Sequence, residues 1–210
     1  MSKILYIQGS PRTERSRSRG VADAFLSAYL AAHDEAVVET LDVFRADLPP
    51  LDGLAIEAKY RILHGQEAEA DERKAWAAVE RVIEQFTSAD MYVLAVPMWN
   101  FGIPYRLKHY LDLIVQPGIT FAYDPETGYS GLVTGKRAFV AYARGGDYSP
   151  GSGVEALDHQ KSYLELILGF VGITDVRSIV VQPTLMGGSE VAERKEDEAI
   201  AQAEALAIDF

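Results

Sequence analysis

Side chains able to do chemistry gather in three short stretches of this 210-residue chain. The first, Gly9-Ser-Pro-Arg-Thr-Glu-Arg-Ser-Arg-Ser18, brings the hydroxyls of Ser10, Ser16 and Ser18 and the cation Arg17 to the start of a helically spaced segment. Free backbone N–H groups and the positive end of a helix would hold a phosphate monoester there. An ordinary capped turn with a solvated arginine run is the competing reading. The second, Pro97-Met98-Trp99-Asn100-Phe101-Gly-Ile-Pro104, sets two aromatics around an amide that both donates and accepts, which suits a planar ligand. Trp99 and Phe101 could equally cap the core. In the third, Ala143-Arg144-Gly145-Gly146, paired glycines let backbone approach a ring closely and Arg144 can offset negative charge.

Other matches fail on context. Gly151-Ser-Gly153-Val-Glu-Ala156 fits a loose dinucleotide fingerprint, but a polar loop separates it from the strand before it, and a capping box accounts for Ser152 and Glu155. Gly131-Leu-Val-Thr-Gly135-Lys136 is one residue short of a P-loop, and Arg137 stands where magnesium needs Ser or Thr. Gly128-Tyr-Ser130-Gly131 lacks the spacing of a nucleophile elbow. All three read as turns. His33, His64, His109 and His159 show no metal-ligand spacing, so no metal site is expected. The acidic cluster from Glu190 to Glu198 reads as a solvated helix face.

Positioning these loops falls to alternating elements. Apolar runs at Lys3–Ile7, Val37–Leu41, Met91–Val96, Arg137–Ala141 and Ser178–Val181 read as strands. Helical spacing follows each, at Val21–Ala32, Trp76–Phe86, Leu107–Ile114, from Ser152 to a stop at Gly172, and over Glu190–Ala207. Phe44–Gly65 reads as irregular, and Gln116–Gly135 as an extended or hairpin insertion. The pattern predicts an α/β fold: one doubly wound five-stranded parallel sheet flanked by helices, flavodoxin-like, with two loop insertions, over a single domain 1–210. Ligands of such sheets bind beyond the carboxyl ends of the strands. The three loops fall there, after the first, third and fourth strands. Together they describe a flavin mononucleotide (FMN) site.

Composition narrows the function classes. A net charge of −11 repels phosphate backbones and anionic lipid, so neither nucleic acid nor membrane is an expected partner. The longest apolar run, Met91–Trp99, is far short of a bilayer span of about 20 residues. With no cysteine, disulfides, thiolate catalysis and cysteine-held metal are out. Arginines alternate with serines near the start, as in a transit peptide, but the opening apolar run reads as a buried strand. A soluble cytoplasmic protein is expected.

The chain resembles the FMN-dependent NADH:quinone oxidoreductases and azoreductases. The resemblance rests on Gly9-Ser10, Ser16-Arg-Ser18, Pro97–Phe101, Leu107-Lys-His-Tyr-Leu-Asp112, Gly118-Ile-Thr-Phe121, Gly131–Lys136, Arg144-Gly-Gly146 and Leu168–Asp175, in that order. It implies that Ser10, Ser16, Arg17 and Ser18 hold the FMN phosphate and ribityl chain, that Met98–Phe101 line the isoalloxazine, and that Ala143–Gly146 meet its pyrimidine edge. Many relatives have Tyr at Trp99 and Gln at Arg17. The Asp147-Tyr148 pair and the Phe44–Gly65 stretch fit no family pattern. The implied reaction is ping-pong: NADH or NADPH reduces the flavin, then a quinone or azo compound takes two electrons in the same site. The flavin carries that chemistry, so no catalytic protein residue is named. Phe121, Tyr123 and Tyr148 are candidate substrate-pocket residues, and the aromatic density of the second insertion suggests a homodimer with shared sites. The alternatives are a flavodoxin-type electron carrier and a flavin-free partner-binding relative.

Overall fold

The computed structural model describes residues 2–210. Five parallel strands, β1 (Lys3–Gln8), β2 (Val37–Asp42), β3 (Met91–Pro97), β6 (Arg137–Ala143) and β7 (Asp175–Val181), form one sheet in the order β2-β1-β3-β6-β7. The central strands are near-continuous apolar runs because both faces are covered. Alternate residues of β1 show how. Ile4 and Tyr6 face a layer formed by α1 (Arg17–Ala32) and α6 (Ser189–Ile208), whereas Leu5 and Ile7 face α3 (Ala70–Thr87), α4 (Tyr105–Ile114) and α5 (Lys161–Val171).

The expected fold class is met, with local differences. Phe44–Gly65 is not wholly irregular, since Asp52 accepts the Ala55 amide and caps a helix, α2 (Gly53–Leu63). The rest of that stretch is fastened to α4: Arg106 donates to the carbonyls of Val43 and Ala46, both at 2.7 Å. Ser152 does not open α5. Its hydroxyl accepts the Val154 amide, and Glu155–Leu157 form a 3-10 turn. The helix begins later because the Asp158 carboxylate collects the amides of Gln160 and Lys161. Gly172 does stop α5, at φ 107°.

The second insertion is a hairpin of β4 (Phe121–Asp124) and β5 (Gly128–Gly131), so Gly128–Gly131 is a strand rather than a turn. Gly131 lies directly on the end of α5. A Cβ there would sit 2.2 Å from the Gly172 nitrogen, so backbone meets backbone.

Candidate functional site

The strand order reverses direction between β1 and β3, and a cavity of about 680 Å³ opens beyond their carboxyl ends. Three sides come from the predicted loops. Ser10, Ser16, Arg17 and Ser18 line it after β1, Pro97, Met98 and Trp99 after β3, and Ala143 and Gly145 after β6.

The phosphate-loop candidates sit at the amino end of α1. Gly9 brings the chain there: its amide donates to the Ala95 carbonyl at 2.8 Å, and a Cβ would press within 3.0 Å of that oxygen. Ser10, Ser16 and Ser18 are all buried, Ser18 completely. Ser16 is the N-cap, yet its hydroxyl caps nothing and instead meets the Ser18 hydroxyl at 3.3 Å. No acidic side chain lies in the first turn of α1. Buried hydroxyls, unpartnered first-turn amides and the helix dipole therefore face one space. That donor set fits a phosphate monoester. Arg17 lines the same space, but its guanidinium is paired with Glu196 of α6 and reaches the Ala192 carbonyl at 3.2 Å.

Behind this wall, burial and then Asp23 push the Tyr6 phenol well above its ordinary range. It stays protonated and donates to Asp23 at 2.7 Å.

The loop after β3 forms a shelf. Trp99 and Gly102 exchange amide-to-carbonyl hydrogen bonds of 2.9 and 3.0 Å, enclosing Asn100 (φ 47°) and Phe101 (φ 70°) in a tight turn. Such a φ is tolerable for Asn and strained for Phe. Two contacts hold it: the Phe101 carbonyl accepts the His159 amide, and its ring meets Tyr148 edge-on at 6.3 Å. Trp99 leans on Phe44 at 5.6 Å, which gives the unplaced stretch after β2 a role as a buttress. Trp99 and Phe101 both remain exposed, so neither is a core cap. Asn100, Phe101 and Tyr148 border the shelf rather than line the cavity wall.

In the third loop the backbone and side chain of Arg144 part company. Its guanidinium is 3% exposed and donates to Asp158 at 2.6 Å, Gln160 at 2.9 Å and Gln182 at 3.3 Å. Its charge is spent inside the protein, so it does not offset a ligand's charge as the sequence suggested. Its carbonyl accepts from the amide and hydroxyl of Thr184, and the Gly145 carbonyl accepts the Leu185 amide. Gly145 thus lines the cavity while Arg144 and Gly146 support it from outside.

Phe121 and Tyr123 do not join the site. Phe121 packs on Phe170 at 4.7 Å and Tyr123 on Tyr129 at 4.9 Å, beside the end of α5 that precedes β7. That is the end of the sheet where strands begin, opposite the cavity. Within one chain these aromatics do not line the cavity.

Sequence reasoning missed a fourth wall, from Thr184 and Leu185 after β7 and Glu193 and Glu196 of α6. Its signal was present: a loop after the last strand ends on the same carboxyl edge as the others. Glu196 also departs from the solvated face expected of its cluster.

Comparison with known proteins agrees with this architecture. Residues 2–207 match the family described as the flavodoxin-like fold. A protein of Nitratidesulfovibrio vulgaris named FMN-dependent NADH:quinone oxidoreductase is 54% identical over 210 residues, covering 100% of both chains. The crystal structure of an azoreductase from Bacillus anthracis strain Sterne shares 31% identity over 100% of both chains, with a TM-score of 0.91. An FMN-dependent NADH-azoreductase from Bacillus anthracis strain Ames Ancestor, solved in complex with FMN, shares 30% identity, covering 99% of this chain and 100% of its own, with a TM-score of 0.85. The chain belongs to the family of flavodoxin-like oxidoreductases that these relatives represent.

Proposed function

We propose that this chain, as one domain, is an FMN-dependent NAD(P)H:quinone oxidoreductase that also reduces aromatic azo compounds. The observation that carries the reading is the cavity itself. Three buried serine hydroxyls and an uncapped helix start line it together with Trp99 of the aromatic shelf. Full-length identity to the quinone oxidoreductase and the fold match to the FMN complex support it.

Ser10, Ser16, Ser18 and the first-turn amides of α1 would hold the phosphate, while Pro97–Phe101 and Ala143–Gly146 would border the ring system. When bound, FMN would supply two-electron redox chemistry between NADH or NADPH and the acceptor, and donor and acceptor would use the site in turn. The protein orients that group and limits water. Trp99, exposed on the shelf, offers a flat face to one side, and Leu185 folds over Gly145 on the other. No histidine lines the cavity among the described residues. Its titratable side chains are arginines and the carboxylates of Glu14, Glu193 and Glu196.

The shelf lies open on its outer side, and the exposed apolar side chains Trp99, Phe101, Tyr105 and Leu157 lie on or beside it. Leu54, Tyr60 and Leu63 of α2 are exposed as well. A second copy covering this rim would complete the water-excluding walls, so we include a homodimer in the proposal. A reaction drawing on reduced nicotinamide nucleotide suits a cytoplasmic setting. No helix among the described residues is long and apolar enough to cross a membrane.

The test is direct. The purified chain should carry a yellow flavin spectrum or gain one stoichiometrically from added FMN, and should oxidise NADH in the presence of a quinone without a second reductase. A colourless protein that takes up no FMN would overturn the reading. Bound FMN without NADH oxidation would favour an electron carrier.

A further inference from the structure

The phosphate end of the cavity contains a contradiction. An anion site in a protein of net charge −11 would be expected to keep carboxylates away, yet Glu14, Glu193 and Glu196 line the cavity beside Arg12, Arg15 and Arg17. Glu196 is no bystander. Its carboxylate is paired with Arg17, the residue between the two phosphate-loop serines, and each side chain is only 25% exposed. Arg17 also donates to the Ala192 carbonyl, so its guanidinium is drawn toward α6 at two points. The approach is close enough that a Cβ on Gly20, one turn into α1, would lie 3.1 Å from the other Glu196 oxygen.

From this we infer that Glu196 is an internal competitor of the flavin phosphate for Arg17, and that the pair sets how strongly the site prefers a phosphorylated flavin over an unphosphorylated one. The inference rests on the proposed FMN site. The carboxylate acts in two ways. It holds Arg17, the cavity-lining arginine that stands between Ser16 and Ser18, partly out of reach, and its charge opposes a phosphate dianion on the same wall. Arg17 in turn screens that charge, so removing Arg17 alone leaves Glu196 bare. Removing Glu196 alone frees a full positive charge for the phosphate. Removing both returns the wall close to its starting balance. One unit charge a few ångström from another, at a dielectric between protein and water, changes binding by about tenfold. A pair that merely bolts α1 to α6 would behave differently. Its loss would change stability and affect all flavins alike.

The experiment is titration of the flavin-depleted chain with FMN and with riboflavin, followed by quenching of flavin fluorescence, for the unaltered chain, Glu196→Gln, Arg17→Gln and the double variant. Glu196→Gln should tighten FMN about tenfold and leave riboflavin unchanged. Arg17→Gln should weaken FMN by about tenfold, and the double variant should return to within a few-fold of the original. Glu196→Asp, which shortens the reach to Arg17, should move the FMN-to-riboflavin ratio in the same direction as Glu196→Gln. FMN and riboflavin affinities changing in parallel, or an unchanged ratio in all variants, would overturn this inference while leaving the flavin site standing. Failure of the unaltered chain to take up FMN would overturn the site and the inference together.

Discussion

Ser16 and Ser18 differ from ordinary helix-start residues in what their hydroxyls leave undone. A serine N-cap normally accepts an amide of the first turn, yet at the start of α1 the two hydroxyls meet only each other. Replacing both with alanine should therefore cost little fold stability and much cofactor affinity. Two hydrogen bonds to a charged group are together worth roughly 3 to 6 kcal/mol. Retention of FMN after long dialysis of the double variant, equal to that of the unaltered chain, would remove these residues from the phosphate site. Arg144 carries the opposite expectation. Its guanidinium lies 5.9 Å from the ring centres of both Tyr142 and Tyr148 and is paired with a largely buried Asp158. Asp158→Ala would strand that charge and remove the cap of α5, a loss of about 3 to 5 kcal/mol visible in denaturant unfolding. Flavin affinity would fall as a consequence, because the loops at 143–146 and 182–188 are stitched together through Arg144.

Two elements position the site by backbone conformation rather than by side chain. The Asn100-Phe101 turn holds both residues at positive φ. For Phe101 the strain is about 1 to 2 kcal/mol. Phe101→Gly removes it at an entropic cost of about 0.5 to 1 kcal/mol, so the thermal midpoint should hold or rise slightly. Quinone reductase activity should nevertheless fall, because the ring that borders the shelf is gone. A marked loss of stability would show that the Phe101 contacts with Tyr148 outweigh the strain. Asn100→Gly probes the amide without adding backbone strain, since glycine adopts φ 47° freely. The β4–β5 hairpin depends on contact instead. A methyl at Gly131 would lie 2.2 to 2.4 Å from backbone atoms of Val171 and Gly172, so Gly131→Ala must push the hairpin off α5. Overpacking of this kind costs on the order of 3 kcal/mol. The check is a calorimetric comparison with the unaltered chain, in which an equal melting temperature would contradict the close approach.

For the molecule as a whole, one layer of helices on each face buries the sheet and leaves the carboxyl edge as the place where loops meet. On its shelf side that edge carries the exposed apolar side chains Trp99, Phe101 and Tyr105. If a second copy covers them, light scattering at micromolar protein should give twice the chain mass of 23.1 kDa. Tyr105→Glu, a charge on a side chain 66% exposed beside the shelf, should then lower both the mass and the quinone reductase activity. A monomer with full activity would sink the shared-site idea. The hairpin aromatics Tyr123 and Tyr129, though exposed, lie at the opposite end of the sheet. They could act on a site only across such a partner.

Alternating apolar runs and helical stripes dictated the sheet, because a strand buried on both faces and a helix buried on one leave different periods in a sequence. The three cavity loops were legible for the same reason: each lies just after a recognisable strand, on the edge where such sheets bind ligands. Local spacing misjudged Ser152 because two cap-forming side chains, Ser152 and Asp158, stand six residues apart, and only the packed chain shows which one collects the amides of α5. Charge partners were beyond the sequence altogether. Arg17 and Arg144 both read as cations available to a ligand, and folding gave one to Glu196, 179 residues away in the chain, and the other to Asp158. Ion pairs across such separations have no periodicity to announce them. They form where a tertiary contact, here α6 laid along α1, brings opposite charges within reach.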